Sequence, residues 1–180
     1  MSAHAPAWAF HSFTKKHRKV VNAMLIRTEQ EAMYLACEME STAVQLYSRA
    51  LQLMEQLGRQ HTDVYVHIQQ MLREEQAHLT RFRSLYKGLD VSDEQRLSLS
   101  AVAEGILFEG GLMGAARQGL ISDVGSMLRF AADSERVSAR KYREFAAVAK
   151  TDEARDALLL IASEEDCHLR ELENQVSAQG

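Results

Sequence analysis

Two Glu-x-x-His tetrads, Glu75-Gln76-Ala77-His78 and Glu165-Asp166-Cys167-His168, each follow a lone glutamate, Glu40 and Glu135. Glu75 follows Glu40 by 35 residues and Glu165 follows Glu135 by 30. A tyrosine stands seven residues after each lone glutamate, Tyr47 and Tyr142, and one more acid precedes each tetrad, Glu74 and Glu164. On a helix, positions three apart lie about 60° apart around the axis and one turn apart along it, so Glu and His of a tetrad can reach one ion. A single such pair is more often solvated than chelating. Here both pairs, and both lone glutamates, interrupt apolar stripes. Inward-facing carboxylates in an apolar core cost several kcal/mol each as isolated ions, and mutual repulsion drives some of them to protonate. Two divalent cations would cancel four such charges. The expected arrangement has Glu75 and Glu165 bridging or chelating, Glu40 and Glu135 capping one ion each, and His78 and His168 giving one nitrogen per metal. Carboxylate and imidazole suit iron, manganese or zinc, and the absence of a thiolate pair in the pattern argues against a closed structural zinc site or an iron–sulfur cluster.

The elements that must position these residues are helices. The only proline is Pro6, so every later segment is free to be helical. The first long helix is expected from Thr28, an N-cap with Glu31 closing a capping box, to a stop at Gly58. Its stripe is Met33, Ala36, Cys37, Ala43, Val44, Tyr47, Leu51 and Met54, with Glu40 at its centre. The second runs from Asp63 to about Gly88. More than thirty residues then separate it from the next hairpin, too many for a tight turn. This crossover should carry a short helix, about 93–108, and the run Gly110-Gly111-Leu112-Met113-Gly114. A third helix, about Asp123 to Ala149, surrounds Glu135 with Leu128, Ala131, Ala132, Ala139, Tyr142 and Phe145. After a turn at Lys150-Thr151 a fourth reaches about Val176. Helices of roughly 25 residues are roughly 40 Å long, enough for an all-α bundle.

Composition bounds the rest. With 180 residues, one domain has room for a full core, and the division expected is an N-terminal arm or short helix over 1–27 and a bundle over 28–180. A net charge of −4 gives no global basic field for nucleic acid or an anionic membrane, and no apolar stretch is long enough to span one. Cys37 and Cys167 form neither a disulfide framework nor a Cys-x-x-Cys site, which fits a reducing compartment, and the cytoplasm is expected. Trp8, Phe10 and Phe13, followed by Lys15-Lys16-His17-Arg18-Lys19, form an amphipathic start that either lies over the bundle or stays a solvated basic arm.

Over about 29–176 the chain resembles the ferritin-like superfamily, within it the rubrerythrin and bacterioferritin-like di-iron proteins. The shared elements are the lone Glu40 and Glu135 and the two tetrads. The resemblance implies an antiparallel four-helix bundle with a long connection between helices 2 and 3, two iron ions per chain (or manganese, or a mixed pair), and oxidoreductase chemistry with hydrogen peroxide or dioxygen. It also implies a homodimer or larger homo-oligomer. A complete rubrerythrin carries a rubredoxin-like domain with paired Cys-x-x-Cys; this chain has none, so an electron donor would be a separate protein. Where the rubrerythrin pattern has an extra glutamate three residues from the third-helix ligand, this chain has Ala132 and Ser138, which brings the six-ligand site nearer to bacterioferritin-like or hydroxylase-like relatives. The alternatives are iron handling or storage, oxygen-dependent hydroxylation of an organic substrate, and a bundle without chemistry. Tyr47 and Tyr142 are positioned to hydrogen-bond the site or donate electrons, though core tyrosines need neither role. Glu74 and Glu164 point about 100° off the ligand face and read as solvated acids. Cys37 reads as a buried small thiol, and Cys167 points away from the site. Glu104 and Glu109 are the crossover acids that could add ligands. The remaining histidines, His4, His11, His17, His61 and His67, carry no ligand spacing.

Overall fold

A threonine or an aspartate starts each of the four long helices, and the geometry of those caps fixes where they begin. The computed structural model of the chain describes residues 26–107 and 123–178, all of its regular structure there being helical. In order these are α1 (Glu29–Gln56), α2 (Asp63–Leu85), α3 (Asp93–Leu107), α4 (Val124–Ala146) and α5 (Asp152–Ser177). Thr28 caps α1 in a complete capping box with Glu31, as its sequence predicts. Thr62, Asp123 and Thr151 each accept from a backbone N–H in the first turn of α2, α4 and α5. Residues 1–25 of the expected N-terminal arm, the glycine-rich run and Glu109 lie outside the described residues, as does the side chain of Glu104.

Two expected helix ends are corrected. Helix α2 stops at Leu85, not Gly88, because tertiary contacts claim the next residues. Tyr86 turns extended and packs against Tyr34 at 6.1 Å between ring centroids, and the Lys87 N–H donates to Gln30 Oε1 at 2.6 Å. Gly88 then takes φ 100°, a conformation that favours glycine. Helix α4 ends at Ala146, where Val148 and Ala149 close tighter turns onto Phe145 and Ala146, and Arg155 donates to the Ala149 carbonyl.

The helices pair into two antiparallel hairpins. In the first, Lys87 meets Gln30 at one end and Tyr65 donates to Glu55 at the other. In the second, Arg143 pairs with Asp166 and Arg136 with Glu173, which sets α4 against α5 in a constant register. The hairpins face each other through α1 on α4 and α2 on α5, while α3 packs against α1 and α4. The apolar interior is cut in two. One cluster gathers Met33, Met39, Leu79, Phe82, Leu99 and Phe145, and the other gathers Leu46, Met54, Ile68, Met71, Leu128 and Leu172. Between them in sequence on α1, α2, α4 and α5 lie Glu40, Glu75 and His78, Glu135, and Glu165 and His168, every one buried.

Candidate metal centre

The apolar stripes that bury the long helices also bury these six polar residues, because each takes a stripe position on its own helix. Glu40, Glu75, Glu135 and Glu165 are no more than 1% exposed, so no solvent shell is left to neutralise them. Their ligand atoms, with those of the two histidines, form two sets: Glu40, Glu75, His78 and Glu165, and Glu75, Glu135, Glu165 and His168. Within each set the atoms all lie within 4.8 Å of one another. Glu75 and Glu165 belong to both sets, so either could reach both ion positions. Glu40 and Glu135 each belong to one, as do His78 and His168. The two imidazoles stack at 6.0 Å between centroids and 25° between planes.

Both histidines turn Nδ1 inward. His78 Nδ1 lies 3.3 Å from Glu165 Oε1, 3.8 Å from Glu75 Oε2 and 3.9 Å from Glu40 Oε1. His168 Nδ1 lies 3.1 Å from Glu165 Oε2 and 3.2 Å from Glu75 Oε1. Each Nε2 meets an acid of the opposite hairpin, His78 with Glu164 at 3.0 Å and His168 with Glu74 at 2.9 Å. This corrects the reading of Glu74 and Glu164 as solvated acids. They are only 39% and 47% exposed, and each fixes an imidazole so that Nδ1 is the nitrogen left for the centre. A signal was present, since an acid precedes both tetrads. The spacing on one helix pairs Glu74 with His78, however, and cannot show that it crosses to His168.

The tyrosines also cross over. Tyr142 on α4 donates to Glu40 Oε1 on α1 at 2.6 Å, and Tyr47 on α1 donates to Glu135 Oε1 on α4. Burial, then the adjoining carboxylate, pushes both phenols well above their ordinary value, so they remain donors. Each capping glutamate is thus oriented by a hydroxyl from the other hairpin.

The electrostatics follow from crowding. Burial, reinforced by the neighbouring carboxylates Glu75 and Glu165, raises the Glu40 and Glu135 carboxyls well above their ordinary range. For Glu75 burial acts in the same direction, but the His168 and His78 imidazoles beside it overcome it and bring the group to about 2. Burial works against the imidazolium of His78, yet Glu165 and Glu75 outweigh it and lift the ring to about 10. Cys37 is a buried thiol raised to about 11 by burial, matching the inert reading. Cys167 is exposed, and Arg170 donates to its sulfur at 3.0 Å. His67, given no ligand role, pairs with Glu171 at 3.1 Å.

These residues fit a pair of divalent cations. Glu40 Oε2, Glu75 Oε1, His78 Nδ1 and Glu165 Oε1 are buried without a hydrogen-bond partner, and all four belong to the two sets. The His78 Nδ1 contact with Glu165 is close but off the angle of a hydrogen bond. A buried orphan of this kind costs about 1–3 kcal/mol, more when charged, and four in one place would be offset by an ion placed to coordinate them. Oxygen and imidazole donors with no sulfur match iron, manganese or zinc.

A groove of about 810 Å³ runs between α2 and α5 outside the histidines. His78, His168, Glu74 and Glu164 form part of its lining, with Ala157, Leu160 and Ile161. No helix among the described residues is long and apolar enough to cross a membrane. No protein-family model matches the chain, and neither a curated protein nor a solved structure shows significant similarity to it.

Proposed function

We propose that this chain is a ferritin-like antiparallel four-helix bundle, with a long crossover between its second and third long helices, that acts as a di-iron oxidoreductase on hydrogen peroxide or dioxygen. The observation that carries the reading is the pair of buried four-residue sets sharing Glu75 and Glu165. When bound, two iron ions supply the two electrons that, with two protons, reduce hydrogen peroxide to two waters. The chain's own residues hold that chemistry in place. Glu40 and Glu135 are steered by the Tyr142 and Tyr47 hydroxyls, so their free oxygens face inward. His78 and His168 present Nδ1 because Glu164 and Glu74 hold Nε2. The two apolar clusters keep bulk water from either end of the polar layer. Tyr47 and Tyr142 also lie within hydrogen-bonding reach of the centre, where a phenol can pass a proton and an electron together. The electrons that restore the reduced state come from a separate donor protein.

A second reading has its own observation. The groove on α2 and α5 has apolar walls at Ala157, Leu160 and Ile161, the kind of space that oxygen-dependent hydroxylation of an organic substrate requires. Anaerobic loading with Fe(II), elemental analysis and stopped-flow oxidation separate the possibilities. The expected result is two irons per chain in a small oligomer, oxidised faster by hydrogen peroxide than by dioxygen, with no further iron taken up on repeated addition. Near-zero metal overturns the centre itself. Hundreds of irons per assembly would make the protein a storage shell, and faster reaction with dioxygen would favour the ferroxidase or hydroxylase reading.

A further inference from the structure

The α2/α5 groove is an acidic surface built on an apolar floor. Its lining comes from α2 and α5 alone, whereas α3 packs on the other side of the molecule, against α1 and α4. Asp156, Glu164, Glu171 and Glu74 face it; Glu164, Glu74 and Glu171 each meet one histidine, His78, His168 and His67, and the groove's one arginine, Arg81, is within 3.5 Å of Glu153. Three of those acids are 39–50% exposed, open to a counter-charge. Leu160 stands in the wall at 61% exposure, the large apolar side chain that the groove presents to solvent.

The sequence carries the complement. Residues 1–25 hold Lys15, Lys16, Arg18 and Lys19 and no acid, leaving 17 basic against 25 acidic residues over 26–180. Trp8, Phe10 and Phe13 precede that basic run. The chain enters α1 at the mouth of the groove: Glu29 accepts from Lys150 and Thr151 just before α5, and Gln30 accepts from Lys87 just after α2. Glu164 lies twelve residues into α5 from Asp152, about 18 Å along the axis. Lys19 and Lys15 stand seven and eleven residues before Ile26, a reach of up to about 23–36 Å. The basic run can therefore reach Glu164 and Glu74, and because Leu160 lies one turn nearer the entry the segment would turn back to set its aromatic residues there.

We propose that the amino-terminal segment of this chain, residues 1–25, docks into the α2/α5 groove, its lysines and arginine on the acids and its aromatic residues on the exposed Leu160. A second copy presenting the same groove would bring like charges together, which disfavours groove-to-groove association. The docking does not depend on which metal the centre holds, so its test is independent of that question.

Trp8 is the chain's single tryptophan, and it reports on the docking directly in the full-length protein. The expected Trp8 emission is shifted to the blue of a solvated indole and shielded from iodide. Leu160→Lys combined with Glu171→Lys, both at exposed positions, should move it to the red and open it to quenching with the helical signal unchanged. Zero-length carbodiimide coupling should join Lys15, Lys16 or Lys19 to Asp156, Glu164 or Glu171, and mixing light- and heavy-isotope protein should leave those cross-links within one chain. A solvated Trp8 in the unsubstituted protein overturns the proposal. So does emission indifferent to the double substitution, or cross-links that join light to heavy chains, the last assigning the groove to a second copy's segment.

Discussion

Four of the six groups of the centre are each held by a residue from the opposite hairpin, so the ligand geometry depends on how the hairpins meet as well as on each helix. Tyr142 orients Glu40, Tyr47 orients Glu135, Glu164 orients His78 and Glu74 orients His168. Removing one of these hydroxyls leaves a buried carboxylate oxygen without its donor and frees the side chain to rotate, and the outer partner of a metal ligand is typically worth 10- to 100-fold in affinity. Tyr142→Phe is therefore expected to weaken metal binding by roughly ten- to a hundredfold, with little change in helical content, because the ring still packs against Phe82 at 5.2 Å. Competition against a chromophoric chelator measures this. An affinity within twofold of the unsubstituted protein would show that the hydroxyl does not position Glu40. At this scale the six inward residues were legible in the sequence, since a polar residue interrupting an apolar stripe is visible in one dimension. The crossing partners were not. Glu74 lies one turn from His78 on its own helix yet bonds His168, and only the register between α2 and α5 decides that.

At the scale of elements, the helix starts were the easiest features to read and the ends the hardest. Thr28, Thr62, Asp123 and Thr151 are local signals whose side chains bond the first turn, and all four starts fall within a residue of their expected place. The end of α2 is set instead by Tyr34 and Gln30, distant residues that compete for Tyr86 and Lys87. Thr151 differs from the other caps in holding two elements at once. Its hydroxyl accepts from the Ala154 N–H and also meets Glu29 Oε2 at 3.0 Å, and the same carboxylate oxygen accepts from the Lys150 and Thr151 backbone. An isolated cap is worth about 1 kcal/mol. Thr151→Ala is expected to cost about 1–2 kcal/mol, more than Thr62→Ala, which loses a cap beside exposed turn contacts only. Urea unfolding of the two variants compares them directly. Equal losses would mean that the link from α5 to the start of α1 adds nothing to the cap.

For the molecule as a whole, the polar layer between two apolar clusters sets stability against binding. Four carboxyls and two imidazoles occupy positions that apolar side chains would fill at less cost, and buried ionic sets are often neutral or destabilising relative to uncharged replacements. Glu40 and Glu135 are the members best suited to a test, because each already accepts from a tyrosine hydroxyl that an amide oxygen could equally accept from. The double variant Glu40→Gln with Glu135→Gln removes two buried acids without changing shape. Free of metal, it is expected to melt at or above the temperature of the unsubstituted protein. Metal binding should respond in the opposite direction. A ligand that binds only the folded state adds RT ln(1 + [L]/Kd), about 2.7 kcal/mol at one hundred times Kd, and the unsubstituted protein should show an upward shift of that kind with Fe(II) or Mn(II) under anaerobic conditions. The double variant should lose most of it, since each ion forfeits one charged ligand. Calorimetry with and without metal measures all four states. A metal-free double variant that melts well below the parent would mean that the acids support the fold in their own right, and an undiminished metal shift would mean that the ions are held by Glu75, Glu165 and the histidines alone.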